Sequence, residues 1–141
     1  MRKVTVITAC YNGERFIDAY ARTLLSQTYH DVEILFVDDG STDVSAKKIK
    51  SYEQDFLEKG MDFQYFYQEN QGQAAATNTA FQHMTGEYFM LHDIDDLLEP
   101  ECIQERVAFL AKHPDCGFVY SRIWRQKENS AGKIEYGIFD A

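Results

Sequence analysis

The sequence has 141 residues, 45% of them hydrophobic and 26% charged, with two prolines and eight glycines. That is the composition of a folded domain, not of a disordered or low-complexity chain. Fourteen Lys and Arg stand against 23 Asp and Glu, a net charge of −9, which argues against a surface built to neutralise nucleic-acid phosphates or anionic lipid.

Three cysteines, Cys10, Cys102 and Cys116, make no disulfide framework, so a reducing, cytoplasmic compartment is expected. Val4 to Ala9 is too short for a signal segment, and no apolar stretch approaches a membrane span. In chain order, Val4 to Thr8 is a β-branched run that predicts a strand, closed by the turn residues Tyr11-Asn12-Gly13. Phe16, Ile17, Tyr20, Ala21, Leu24 and Leu25 then recur at helical spacing. Val32 to Val37 reads as a buried strand cut off by Asp38-Asp39-Gly40. Ser41 or Thr42 is expected to cap the next helix, whose stripe is Ile49, Tyr52, Phe56 and Leu57 and whose stop is Gly60. A third strand, Phe63 to Tyr67, leads into the loop Gln68 to Gly72, and an Ala-rich helix runs from about Gln73 to Met84. Tyr88 to Leu91 is a fourth strand, broken by His92-Asp93-Ile94-Asp95-Asp96. Pro100 fits the first turn of a helix carrying Ile103, Val107 and Leu110. Gly117 to Ile123 predicts a fifth strand and Gln126 to Lys133 a polar loop, while Ile134 to Ala141 carries no assignment. Strands that alternate with helices predict one α/β domain, a mainly parallel sheet with helices on both faces.

Ligands of such a sheet bind beyond the carboxyl ends of the strands. The loops there are 10–14, 38–43, 68–72 and 92–96, and two of them are dense in carboxylates. Helix capping alone accounts for one such loop more readily than for two. In extended chain Asp93 and Asp95 share a face and Ile94 points back to the core. Two hard oxygen donors suit Mg²⁺ or Mn²⁺, with a ligand's phosphates completing the coordination. Neither a GxxxxGK[ST] nor a GxGxxG loop is present, so a bound nucleotide would depend on that metal. At Asp38-Asp39 a carboxylate could accept the imide N–H of uracil, with Gly40 turning the backbone and Tyr11 stacking on the base.

Together these stretches resemble the N-terminal half of a glycosyltransferase family 2 domain, the inverting nucleotide-sugar transferases of GT-A fold. The resemblance is carried by VTVITACYNGE from Val4, SQTY from Ser26, EILFVDDGSTD from Glu33, Asn70-Gln71-Gly72 through Asn78, and HDIDDLLEP from His92, and covers about residues 4 to 125. It implies a Rossmann-like GT-A sheet, with residues 1–125 as the nucleotide-sugar-binding part and 126–141 as the truncated start of the acceptor-side part. By position, Asp39 would contact the base, Asp38 would support its loop, and Tyr11 and Glu14 would line the nucleoside pocket. Thr8, Ala9, Asn70, Gly72 and Asn78 would join the nucleotide-sugar site. Asp93 would lie near the ribose or sugar and, with Asp95, would hold the Mn²⁺ or Mg²⁺ that binds the donor diphosphate.

The implied activity is transfer, with inversion, from a nucleoside-diphosphate sugar (a UDP-sugar by preference) to a glycan or lipid-linked acceptor, in polysaccharide or cell-surface glycan synthesis. Membrane contact would be peripheral, at the inner face, through regions outside this chain. The general base is expected beyond Ala141. Asp115, Glu128, Glu135 and Asp140 suit helix ends or solvated loops, so the chain is expected to bind a donor without transferring it. A nucleotide-sugar-binding module without transfer is the alternative reading. A phosphoacceptor signalling domain fits less well, because Tyr-Asn and not an acidic pair follows the first strand. Three positions depart from the family pattern. Ala9-Cys10 stand where a proline is usual, Thr77 replaces an arginine, and His92 replaces an apolar residue and reads as a packed side chain.

Overall fold

The computed structural model describes residues 2–139. In chain order the elements are β1 (Val4–Cys10), α1 (Ile17–Leu25), β2 (Val32–Asp39), α2 (Ser45–Lys50), α3 (Glu53–Glu58), β3 (Asp62–Gln68), α4 (Gln73–Phe81), β4 (Tyr88–Leu91), α5 (Cys102–Lys112), β5 (Ile123–Glu128) and β6 (Ile134–Phe139). They form two compact units that divide between Glu105 and Arg106.

In the first unit four parallel strands lie in the order β3-β2-β1-β4. Every residue of β2 is buried, which is why its sequence reads as an unbroken apolar run: a strand flanked by two others and covered on both faces has no solvent side. The pleat then sorts its neighbours into two layers. On one face Ile7, Leu35 and Val37 form a buried cluster with Ala76 and Ala80 of α4, and Ala9 and Phe66 pack against it. Small alanines let α4 approach the sheet closely. On the other face Thr8 and Phe36 meet the fully buried Tyr20 of α1, whose hydroxyl donates to Thr8 Oγ1 at 2.9 Å and whose ring stands edge-on to Phe36. Phe56 of α3 stacks on Phe63 of that same face, with ring centroids 5.4 Å apart. Helices on both faces are therefore present as expected.

Four local expectations are corrected. The single helix expected after Gly40 is two short ones, because Ser51 Oγ donates back to Lys48 O at 2.7 Å and the backbone turns there. Its cap is neither Ser41 nor Thr42: Asp43 Oδ1 accepts from the Ser45 N–H at 2.9 Å, while Ser41 Oγ accepts from Asn12 N. α4 ends at Phe81, short of Met84, where the Gln82 and His83 N–H groups close tight turns on Thr79 and Ala80. In the second unit the fifth strand does not occupy 117–123. Phe118 and Tyr120 lie exposed in irregular chain, and β5 begins only at Ile123, pairing antiparallel with β6. The turn between them is held by Asn129 Oδ1, which accepts from the Ala131 and Lys133 N–H groups. Among the described residues no helix is long and apolar enough to cross a membrane.

Candidate functional site

Strand order reverses at β1, which has β2 on one side and β4 on the other. At the carboxyl ends of those strands a cleft of about 270 Å³ is lined by Ala9, Cys10, Tyr11, Asp39, Gln73, Asp93, Ile94 and Asp95. That is the place an open parallel sheet offers a ligand, and near the lower end of ligand-pocket sizes.

The two aspartates that end β2 leave it on opposite faces, as consecutive strand residues must. Asp38, 1% exposed, turns inward: its carboxylate accepts from the Ser41 N–H at 2.8 Å and from the Tyr65 hydroxyl at 2.7 Å. Burial, then that bond to Asp38, pushes the Tyr65 phenol above its ordinary range. Asp39 turns to the cleft. Its Oδ1 accepts from Gln68 Nε2 at 2.7 Å and the Gln71 N–H at 2.9 Å, and its Oδ2 from the Gly72 N–H at 2.8 Å. Burial alone would push this carboxyl up, but the donors of Gln71, Gln68 and Gly72 outweigh it and hold Asp39 below the usual carboxylate range. A carboxylate has about four acceptor positions; three are used, and Asp39 lines the cleft while only 3% exposed. Gly40 makes the arrangement possible. Its φ is +81°, and a Cβ there would stand 2.7 Å from the Asn70 backbone nitrogen.

The acidic segment is not extended chain. The Asp96 N–H donates to Asp93 O at 3.1 Å, closing a turn, so the pleat argument for a shared Asp93–Asp95 face does not apply, although both carboxylates line the cleft. Ile94 packs toward Gly13 and shares that wall instead of entering the core. Asp93 Oδ1 accepts from Gln73 Nε2 at 3.0 Å. Burial, followed by repulsion from Asp95 and Asp93, pushes the Asp96 carboxyl up. No cluster of three or more His, Cys, Asp or Glu able to hold a metal occurs among the described residues. Among the described residues the acidic turn thus offers Asp93 and Asp95 as two hard oxygen donors, in a field that favours a cation. This donor set fits Mg²⁺ or Mn²⁺ completed by phosphate oxygens and water. His92 is buried and stacks on Tyr20 at 5.3 Å, a packed residue as expected.

The other candidates sort by what their side chains do. Tyr11, 55% exposed, stands at the cleft. Thr8 is buried, and its hydroxyl donates to His92 O at 2.8 Å. Glu14 turns to the start of α2, where Oε2 accepts from the Val44 N–H and its carbonyl from Lys48 Nζ. The Gly72 N–H donates to Asp39, and the Asn70 backbone lies against Gly40 beside it. Asn78 is exposed on α4. Asp140 lies outside the described residues, as do the side chains of Glu128 and Glu135.

Among the residues of the site that carry no functional signal in the sequence are Asn12 and Gln73. Asn12, at φ +50°, accepts with Oδ1 from the Thr42 and Asp43 N–H groups and ties the first loop to the second. Its place before Gly13 was the available sign, since asparagine tolerates that backbone. Gln73 was legible only as the first residue of a helix that opens onto the cleft.

Residues 5–137 match the model of the family described as Glycosyl transferase family 2. Glycosyltransferase GlyA of Streptococcus pneumoniae is 37% identical over 102 residues, which are 72% of this chain and 14% of that protein. S. aureus TarS 1–349 in complex with UDP superposes with a TM-score of 0.72 at 26% identity, covering 79% of this chain and 33% of that one. The mannosyltransferase PcManGT from Pyrobaculum calidifontis, in complex with GDP-Man and Mn²⁺, gives 0.70 at 28% identity over 78% of this chain and 32% of that one. The chain therefore spans about a third of these solved structures and a smaller share of GlyA.

Proposed function

The chain belongs to glycosyl transferase family 2, and on that premise we propose that its cleft holds a nucleoside-diphosphate sugar for transfer, with inversion, to an acceptor hydroxyl. The fold is the GT-A parallel sheet of its structural neighbours. The observation that carries the donor reading is the cleft lining: three carboxylates, Asp39, Asp93 and Asp95, and no Lys or Arg. Such a lining repels a diphosphate unless a cation joins them.

Asp39 would accept the pairing-edge N–H that uracil and guanine both present, and Tyr11 would stack on the base. Thr8, Glu14 and Asp38 act through the loops they hold, Asn70 and Gly72 through the backbone around Asp39 and Gly40, and Ala9 as cleft wall. Asn78 would flank the donor from α4. Asp93, held by Gln73, would face the ribose or sugar, and Asp93 and Asp95 would hold Mn²⁺ or Mg²⁺. That metal would supply electrostatic stabilisation of the leaving nucleoside diphosphate. The complex of PcManGT with GDP-Man and Mn²⁺ supports this pairing of donor and metal.

In this reading residues 1–125 are the donor-binding part and 126–141 open the acceptor-side part. The general base in this reading is none of the described residues, and residues 1–141 would bind the donor without transferring it. The acceptor is a glycan or lipid-linked hydroxyl. Thermal-shift titration with UDP-, GDP-, ADP- and CDP-sugars in the presence of Mn²⁺ tests the reading. UDP- or GDP-sugars should raise the unfolding temperature with concentration, as ligands of the native state do. A response to none of them, or an equal response to all, would overturn it.

A further inference from the structure

The SQTY stretch lies at the far end of α1 from the cleft and touches none of its lining, yet it is tied to the acidic turn from behind. Gln27 is 1% exposed and its side chain is fully engaged: Nε2 donates to Thr23 O at 3.2 Å and Glu99 O at 2.9 Å, and Oε1 accepts from the Ile103 N–H at 3.2 Å. One turn earlier, Thr23 Oγ1 donates to Leu98 O at 3.0 Å and accepts from the Leu98 N–H at 2.8 Å. The Thr28 N–H donates to Pro100 O at 2.9 Å. The end of α1 and the residues after it, through Thr28, thus bind the segment from Leu98 to Ile103 at five backbone groups. The other side of the turn is pinned as firmly, since the His92 N–H donates to Ile7 O at 3.0 Å and His92 O accepts from Thr8. Between these two posts lie only five residues, Asp93 to Leu97, and five residues with both ends fixed have little freedom.

We infer that Thr23 and Gln27 are positioning residues for the Asp93–Asp95 turn, setting the placement of the carboxylates that would hold the metal. The inference rests on the donor-site reading above. Outer partners that orient a ligand affect metal affinity by about 10- to 100-fold when lost, and a remote post should act at the lower end of that range. Gln27 is too buried to remove cleanly, whereas Thr23→Val keeps shape and deletes both bonds to Leu98, and Thr23→Ser keeps the hydroxyl.

The experiment pairs amide hydrogen exchange of the free chain with calorimetry of UDP and of uridine in Mn²⁺. Thr23→Val should exchange several-fold faster at 93–97 with β1 and β2 unchanged, and should lose about 10-fold in UDP affinity with uridine affinity retained. Thr23→Ser should restore both. Unchanged exchange and UDP affinity in a folded Thr23→Val, or equal losses for UDP and uridine, would overturn the inference. If Thr23→Val does not fold, Thr28→Ala, at an exposed site that bonds Pro100 O and Gln104, carries the same expectations at smaller size and the same refutation. Faster exchange at 93–97 combined with UDP binding that ignores Mn²⁺ in the unaltered chain would sink the donor reading and leave the positioning role standing.

Discussion

Replacing Asp39 by asparagine separates what its carboxylate does for the fold from what it does for a base. Asparagine keeps one oxygen, best placed where Gln68 Nε2 and the Gln71 N–H converge on Oδ1. Its NH₂ then faces the Gly72 N–H that Oδ2 accepted at 2.8 Å. One charge-assisted bond is lost and two become neutral, for a cost of about 2–3 kcal/mol. For a chain of this size that is roughly 7–10 °C in unfolding temperature, readable by circular dichroism. The same amide points a donor into the cleft where an acceptor stood. Uridine, whose ring N–H then meets another N–H, should weaken by about 10- to 100-fold, while cytidine, whose ring nitrogen accepts, should gain. A fall of under about 2 °C would show that the three donors do not hold this carboxylate. Undiminished preference for uridine over cytidine in calorimetry would refute the base-reading role.

Asp95→Asn should weaken Mn²⁺-dependent UDP binding by at least about 10-fold and leave uridine binding unchanged, measured by the same titrations. Gly40→Ala must adopt φ +81° and push against the Asn70 backbone nitrogen, costing about 2 kcal/mol or more in urea unfolding. Gly60→Ala, at φ +83° with nothing within 4 Å, should cost only the backbone strain, about 1–2 kcal/mol. The folded-state pKa of Asp39 lies below its ordinary 3.8, so the stability it contributes is complete above that value and lost as pH falls through the folded one. The gap in unfolding free energy between the unaltered chain and Asp39→Asn should therefore be flat above about pH 5 and shrink in acid. A gap that widened as pH fell would contradict this sign.

The sheet was legible because its strands carry two different sequence signatures for one physical reason. β2 is covered on both faces and reads as unbroken apolar chain, while β3, at the sheet edge, mixes half-buried aromatics with exposed polar residues. The split between Asp38 and Asp39 comes from the family resemblance, and the alternation of a strand is its physical reason. The misreadings arose where short-range hydrogen bonds outrank periodicity. The Asp96–Asp93 bond folds the acidic segment into a turn, Ser51 breaks an apolar helical stripe in two, and the apolar stretch from Gly117 stays outside any strand. The hairpin turn around Asn129 was written in its Asn-Ser-Ala-Gly sequence, but polarity alone marked it as a loop. The contacts from Thr23 and Gln27 to Leu98, Glu99 and Ile103 span more than seventy positions, and no local pattern announces them.

The central claim is a donor site whose diphosphate is held through a cation on Asp93 and Asp95, and calorimetric titration of the chain with UDP in Mn²⁺ and again in excess chelator addresses it most directly. Saturable binding with Mn²⁺, lost in chelator while uridine binding persists in both, is the predicted result. Equal UDP affinity in both buffers would contradict the account.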